Sequence, residues 1–184
     1  MTYLAISLLA FLALHMVPVV ARMKAALLRR LGRPVYIALF ALGSLVTLAL
    51  VVHAHSLADY VPLFDPPGWA RDALIAAMLP VCILLMSAIM QANLARWTRQ
   101  PLGIAVSVWA LGHLLANGDG ASVLMFGSLA LYSLASLTLR WVRATEPPAP
   151  LSWVRDAGAV GLGILLYLVL LLWFHPVIIG IVLV

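Results

Sequence analysis

The chain has 184 residues, of which 65% are hydrophobic and only 9% charged. A soluble domain carries about 25% charged residues, so too few polar groups are present to cover a surface facing water. The net charge of +5 would point to nucleic acid in a soluble protein. Here the charges fall in short stretches between apolar runs, so the expected partners are the lipid bilayer and its anionic headgroups, with no nucleic acid.

The apolar runs are long and do not alternate with polar residues, which excludes a β-barrel and leaves an all-α polytopic helical bundle. A spanning helix needs about 20 apolar residues. The pattern predicts about six transmembrane helices, at 2–21, 35–55, 72–92, 101–117, 120–140 and 157–178, in a single domain over 1–184.

Helix one begins without a basic stretch or a cleavage pattern, and charges follow its apolar run instead of preceding it. Met1 to Val20 therefore reads as a spanning helix and not as a leader. Between helices two and three, Ser56 to Ala70 mixes Leu57, Tyr60, Leu63 and Phe64 with three prolines, a composition suited to the membrane surface and to a partial lid. Cys82 stands alone inside helix three, which rules out an internal disulfide and a Cys-based metal site. Helices four and five are joined by Asn117-Gly118-Asp119-Gly120, strong turn chemistry that predicts antiparallel neighbours. Glu146-Pro147-Pro148-Ala149-Pro150 reads as a stiff connector to helix six.

Arg22, Lys24, Arg29, Arg30, Arg33, Arg96, Arg99, Arg140, Arg143 and Arg155 all fall on one side of this topology, and only Arg71 on the other. The positive-inside rule puts the ten in the cytoplasm and both termini on the outer side. Trp97, Trp141 and Trp153 then fall near the inner boundary, and Trp69 and Trp173 near the outer one. Asp72 and Asp156 sit at helix starts, where they complement the helix dipole. The absence of a carboxylate deep in a span disfavours an ion-coupled transporter.

Histidines carry the remaining chemistry: His15, His53, His55, His113 and His175. An ionisable group within a span is costly and needs a partner. Trp109, His113 and Asn117 are spaced i, i+4, i+8 and form one stripe on helix four. Gly112 and Ala116 flank it and allow close approach of a bulky group. Neutral imidazoles from different helices suit a haem iron, and Arg22 is a candidate for a propionate. Zinc would want three or four ligands, and no two of these histidines have i,i+4 spacing.

The sequence resembles the NnrU family of bacterial membrane proteins, to which the plant zeta-carotene isomerase is related. The resemblance rests on Leu12-Ala13-Leu14-His15 and the basic stretch after it, then Leu31-Gly32-Arg33 with Tyr36, Phe40 and Ser44. It continues in Gln100-Pro101-Leu102-Gly103, the run Trp109-Ala110-Leu111-Gly112-His113-Leu114-Leu115-Ala116-Asn117-Gly118-Asp119, and His175-Pro176 with Gly180. The helix-four run is the most specific piece. Relatives often have His-Pro where this chain has Gln100-Pro101.

The resemblance implies a bacterial inner-membrane protein that binds haem b, with His15 and His113 as axial iron ligands. It implies a link to nitrite and nitric oxide metabolism in denitrification, or a haem-dependent isomerase or redox role such as cis-trans isomerisation of a carotenoid-like, lipid-soluble substrate. A different reading is a non-catalytic accessory protein that supports a nitric oxide reductase without haem. Residue counting pulls against the ligand pair, since it sets His15 about 6 Å inward of mid-helix and His113 about 6 Å outward. By depth, His53 and His175 are the reserve partners of His113.

Overall fold

The computed structural model describes residues 1–142 and 151–183. Arg143 and the expected connector Glu146–Pro150 lie outside the described residues, as do the side chains of Arg140 and Trp141. The described residues are mainly helical: α1 Thr2–Met16, α2 Ala21–Leu31, α3 Arg33–Ser56, α4 Ala70–Met90, α5 Asn93–Thr98, α6 Pro101–Ala116, α7 Gly120–Val142 and α8 Trp153–Val169. The last runs on as a π-helical segment, Leu170–Ile179. Among the described residues there is no strand, only an isolated bridge between Pro62 and Asp119.

Among the described residues, four helices are long and apolar enough to cross a bilayer: Arg33–Ser56, Ala70–Met90, Gly120–Leu139 and Trp153–Ile179. A fifth is reached if α1 and α2, bent by 78° at their junction, count as one broken span. The expected number of about six is not confirmed. α6 has 16 residues, about 24 Å at the usual helical rise, against a hydrocarbon core of about 30 Å.

Helix one ends earlier than its apolar run predicts. Pro18 has no N–H, and its ring conflicts with the carbonyl four residues back. The α1 ladder therefore closes on a tight last turn, with Val17 N–H donating to Leu14 O at 3.1 Å, and Val20 N–H donates back to Met16 O at 3.0 Å. α2 then begins in the stretch expected to be a basic loop.

The chain resolves into two compact units. The first comprises Met1–Asp65 and Asn117–Ser128, the second Pro66–Ala116 and Leu129–Val184. In the first unit, α1 packs on α3, around a buried core of Leu4, Leu8, Val51, Ala54 and Ala121. The segment before Asp65 is tied to the Asn117–Gly120 turn by backbone bonds: Leu63 N–H to Gly118 O at 2.7 Å and Gly120 N–H to Val61 O at 2.8 Å. These bonds satisfy turn groups that lipid would leave unpaired. Asp119 caps α7, accepting from the Ser122 amide at 2.9 Å.

In the second unit, α4 is the central element, with α6 and α8 both packed against it. Gly163 of α8 permits the closest approach: a Cβ there would lie 2.7 Å from Ile83 Cα. α6 and the latter half of α7 run antiparallel, as the turn between them predicts. Ser107 Oγ donates to Ser133 Oγ at 2.9 Å, and one turn away Gly103 abuts Leu137. At the start of α8, Asn93 bridges to Asp156 at 2.7 Å and to the Leu151 carbonyl at 2.8 Å. Asp156 also accepts from Leu94 N–H at 3.3 Å. Its carboxylate thus caps neighbouring α5 besides sitting in the first turn of its own helix, a structural role of the kind expected.

Candidate functional site

Three histidine rings share one local arrangement. His15 Nδ1 lies 2.8 Å from the Phe11 carbonyl. His113 Nδ1 lies 2.8 Å from the Trp109 carbonyl. His175 Nδ1 lies 2.7 Å from the Leu170 carbonyl. A carbonyl oxygen only accepts, so in each case Nδ1 carries the proton and donates. In the neutral ring the lone pair then resides on Nε2, the nitrogen offered to a metal or a proton donor.

The backbone explains why this is possible. In an α-helix the carbonyl of residue i−4 points toward the next turn, and the tilt of the side chains brings an imidazole onto it. His175 reaches one residue further back because its segment is π-helical, so the i−5 carbonyl takes that place.

Each ring is held by aromatic neighbours as well. In the first unit, Phe11 stacks on His15 with ring centroids 4.0 Å apart, and Phe40 of α3 meets it edge-on at 5.4 Å. Tyr36 stacks in turn on Phe40 at 6.2 Å. Ser44 Oγ donates to the Phe40 carbonyl at 2.7 Å. In the sequence Phe40 stands out only through the family resemblance, alongside Tyr36 and Ser44. Its contact with His15 is the role that sequence reading missed.

In the second unit, Trp109 tilts over His113 at 5.2 Å. Phe174 meets His175 edge-on at 5.8 Å. Residues near each of these two histidines reach the beginning of α4. Gly112 packs on Leu74 of its first turns, and the Val182 carbonyl, seven residues past His175, accepts from Arg71.

His15 and His113 belong to different units. Each is near the end of its helix, His15 one residue from the end of α1 and His113 three from the end of α6. The depth offset counted from the sequence took the middle of a helix over 2–21 as its reference. With α1 ending at Met16 and the chain turning by 78°, that reference no longer holds for His15. Of the other two histidines, His53 is exposed on α3. His55 Nε2 lies 3.3 Å from the Ser122 hydroxyl, beside the α7 cap.

Partial burial pushes the Asp119 carboxyl up. The hydroxyl and amide of Ser122, the nearby His55 and the Ala121 amide outweigh it and hold the group below its ordinary value.

Among the described residues, no three His, Cys, Asp or Glu side chains gather as a metal-binding cluster. The donor set consists of imidazoles on separate helices, each with its tautomer fixed. That chemistry fits an axial ligand of haem iron, which takes one or two neutral imidazoles and leaves the porphyrin to fill the equatorial positions. Beside the Trp109 and His113 face, an open apolar groove of about 320 Å³ runs between α4 and α6, lined by Ala73, Leu74, Ala77, Val108, Gly112 and Leu115. Its lining comes from the neighbouring face of α6, so His113 is not part of it.

No curated protein and no solved structure matches the chain. The family described as NnrU protein matches residues 3–183, nearly the full length. On that match this multi-pass, all-helical membrane chain belongs to the NnrU family.

Proposed function

We propose that this protein binds haem b within its helices, with His15 and His113 as axial ligands, and acts as a redox or isomerase-type protein of the bacterial cytoplasmic membrane. One observation carries the reading. His15 and His113, the two positions that family resemblance assigns to the iron, both donate from Nδ1 to a carbonyl one turn back. That bond orients the ring, fixes its tautomer and raises the basicity of Nε2, as the outer partners of metal-bound histidines do. Haem, when bound, supplies a redox-active iron. The chain's own residues hold the two rings against Phe11, Phe40 and Trp109 and surround them with apolar helices.

The family link to nitrite and nitric oxide metabolism makes denitrification the expected setting and a nitric oxide reductase the candidate partner. The ten basic residues on one side of the expected topology support termini on the periplasmic side.

The test is the visible spectrum of the full chain, purified in detergent from cells with ample haem. A Soret band with one haem per protein is expected. A colourless protein overturns the reading and leaves the accessory role, in which the histidines serve only packing.

A further inference from the structure

α2 is too short and too charged to span a membrane, yet it is not a loop. It has 11 residues, Ala21–Leu31, and departs from α1 at 78°. At 100° per residue, Arg22, Arg29 and Arg30 share one face, at i, i+7 and i+8. Met23, Leu27 and Leu31 form a stripe at i, i+4, i+8 that starts beside Arg30 and runs round to the far side of the helix, where Leu28 continues the apolar face. Lys24 falls between Leu31 and Leu28, where its long aliphatic stem can lie along the apolar face while the ammonium reaches outward. Arg33 follows directly after Gly32, whose positive φ of 74° turns the chain into α3.

The charges on this helix have no internal use. Arg22, Lys24, Arg29, Arg30 and Arg33 are all exposed. No acidic residue lies between Ala21 and Pro34. Among the described residues none of the five takes part in an ion pair. A helix that merely crossed water between two spans would not need the Met23, Leu27 and Leu31 stripe. A basic sector beside an apolar one, on a helix turned away from the preceding one, is the pattern of a helix lying in the membrane interface.

We propose that α2 lies in the bilayer surface, and that its Arg22, Arg29 and Arg30 face binds the phosphates of anionic phospholipid headgroups. The apolar stripe sinks toward the acyl chains, and the guanidinium groups meet phosphate with charge-assisted hydrogen bonds. The occupant follows from position as well as from charge. α2 is held at one end by the short Val17–Val20 turn from α1 and at the other by Gly32 to spanning α3, so its surroundings are headgroups.

The experiment uses the full chain in neutral detergent. Thermal unfolding is followed during titration with phosphatidylglycerol and, separately, with phosphatidylcholine. Phosphatidylglycerol is expected to raise the melting temperature, and phosphatidylcholine to leave it unchanged. Raising the salt from about 0.01 to 0.15 M shortens the screening length from about 30 to 8 Å and should weaken the phosphatidylglycerol effect. Each basic residue near an anionic surface strengthens binding about fivefold, so the R29Q/R30Q variant should bind phosphatidylglycerol about thirtyfold more weakly. R29K/R30K should retain most of the affinity, because the charge is kept. Arg22 stays unaltered, since it is also a candidate for a haem propionate.

Equal responses to the two lipids overturn the proposal, as does a folded R29Q/R30Q variant with unchanged affinity. Should that variant not fold, the salt titration of the unaltered chain decides, and a salt-independent response overturns it. Tighter binding of an acidic peptide than of phosphatidylglycerol also overturns it, and makes the face a protein-docking surface.

Discussion

His113 and Trp109 are joined twice, by a 2.8 Å bond from the imidazole Nδ1 to the Trp109 carbonyl and by ring centroids 5.2 Å apart. The carbonyl survives any substitution of Trp109, whereas the ring contact does not. Trp109→Ala should therefore keep the tautomer of His113 but loosen its orientation. Full truncation of a buried tryptophan costs about 3–5 kcal/mol. Trp109 is only partly buried, so about 2 kcal/mol is expected, read as a lower melting temperature in detergent. Trp109→Phe should recover most of it, and a melting temperature unchanged in Trp109→Ala would show that the ring contact contributes nothing.

Gly163 and Gly161 should respond in opposite ways to the same change. A Cβ at Gly163 meets the backbone of Ile83, with Cα at 2.7 Å and N at 2.9 Å, while one at Gly161 meets nothing within 4 Å. Backbone cannot move aside as a side-chain end can, so Gly163→Ala forces α8 away from α4 and should cost about 1–3 kcal/mol. Gly161→Ala should be neutral or slightly stabilising in melting measurements. Equal effects at the two positions would contradict the α4–α8 packing.

The Ser107–Ser133 hydrogen bond ties α6 to α7. Hydrogen bonds between membrane helices contribute about 0.6 kcal/mol on average and up to about 1.7 kcal/mol. A double-mutant cycle with Ser107→Ala and Ser133→Ala should return a coupling in that range. Additive single losses would mean that the two hydroxyls do not rely on each other.

Asp119 gives the turn a pH dependence. Its folded pKa is depressed by the Ser122 bonds and nearby His55, so its contribution is fully present above the ordinary carboxylate pKa of about 3.9. It is lost as the pH falls below that and through the folded value. Asp119→Ala should lower stability at neutral pH by about 1 kcal/mol, and the gap to the unaltered chain should close in acid. Asp119→Asn keeps a capping oxygen and should remove the pH dependence while leaving most of the stability.

Much of the fold could be read from the apolar runs. α3, α4, α6, α7 and α8 with its π segment each lie within a few residues of an expected span. The first run misled because apolarity continues through Pro18 to Val20, while the proline ends the helix at Met16. α2 was hidden because its apolar face is short and Lys24 lies within it, between Leu31 and Leu28. At the site, the Trp109 and His113 pair was legible from spacing alone, while Asn117, expected on the same helical stripe, falls in the turn after α6 because the helix ends at Ala116. The Nδ1 bonds were not, since any helical histidine has an i−4 carbonyl within range and only the side-chain torsion decides whether it is used. The π turn that takes His175 to Leu170 has no sequence signal beyond the proline that follows it.

The central claim is tested most directly by the Soret band of the full chain and of its single His→Ala variants at positions 15, 53, 113 and 175. A band present in the unaltered protein, lost or shifted in His15→Ala and in His113→Ala, and intact in His53→Ala and His175→Ala is the predicted result. A band that survives His15→Ala and His113→Ala unchanged, or a protein with no band at all, would contradict it.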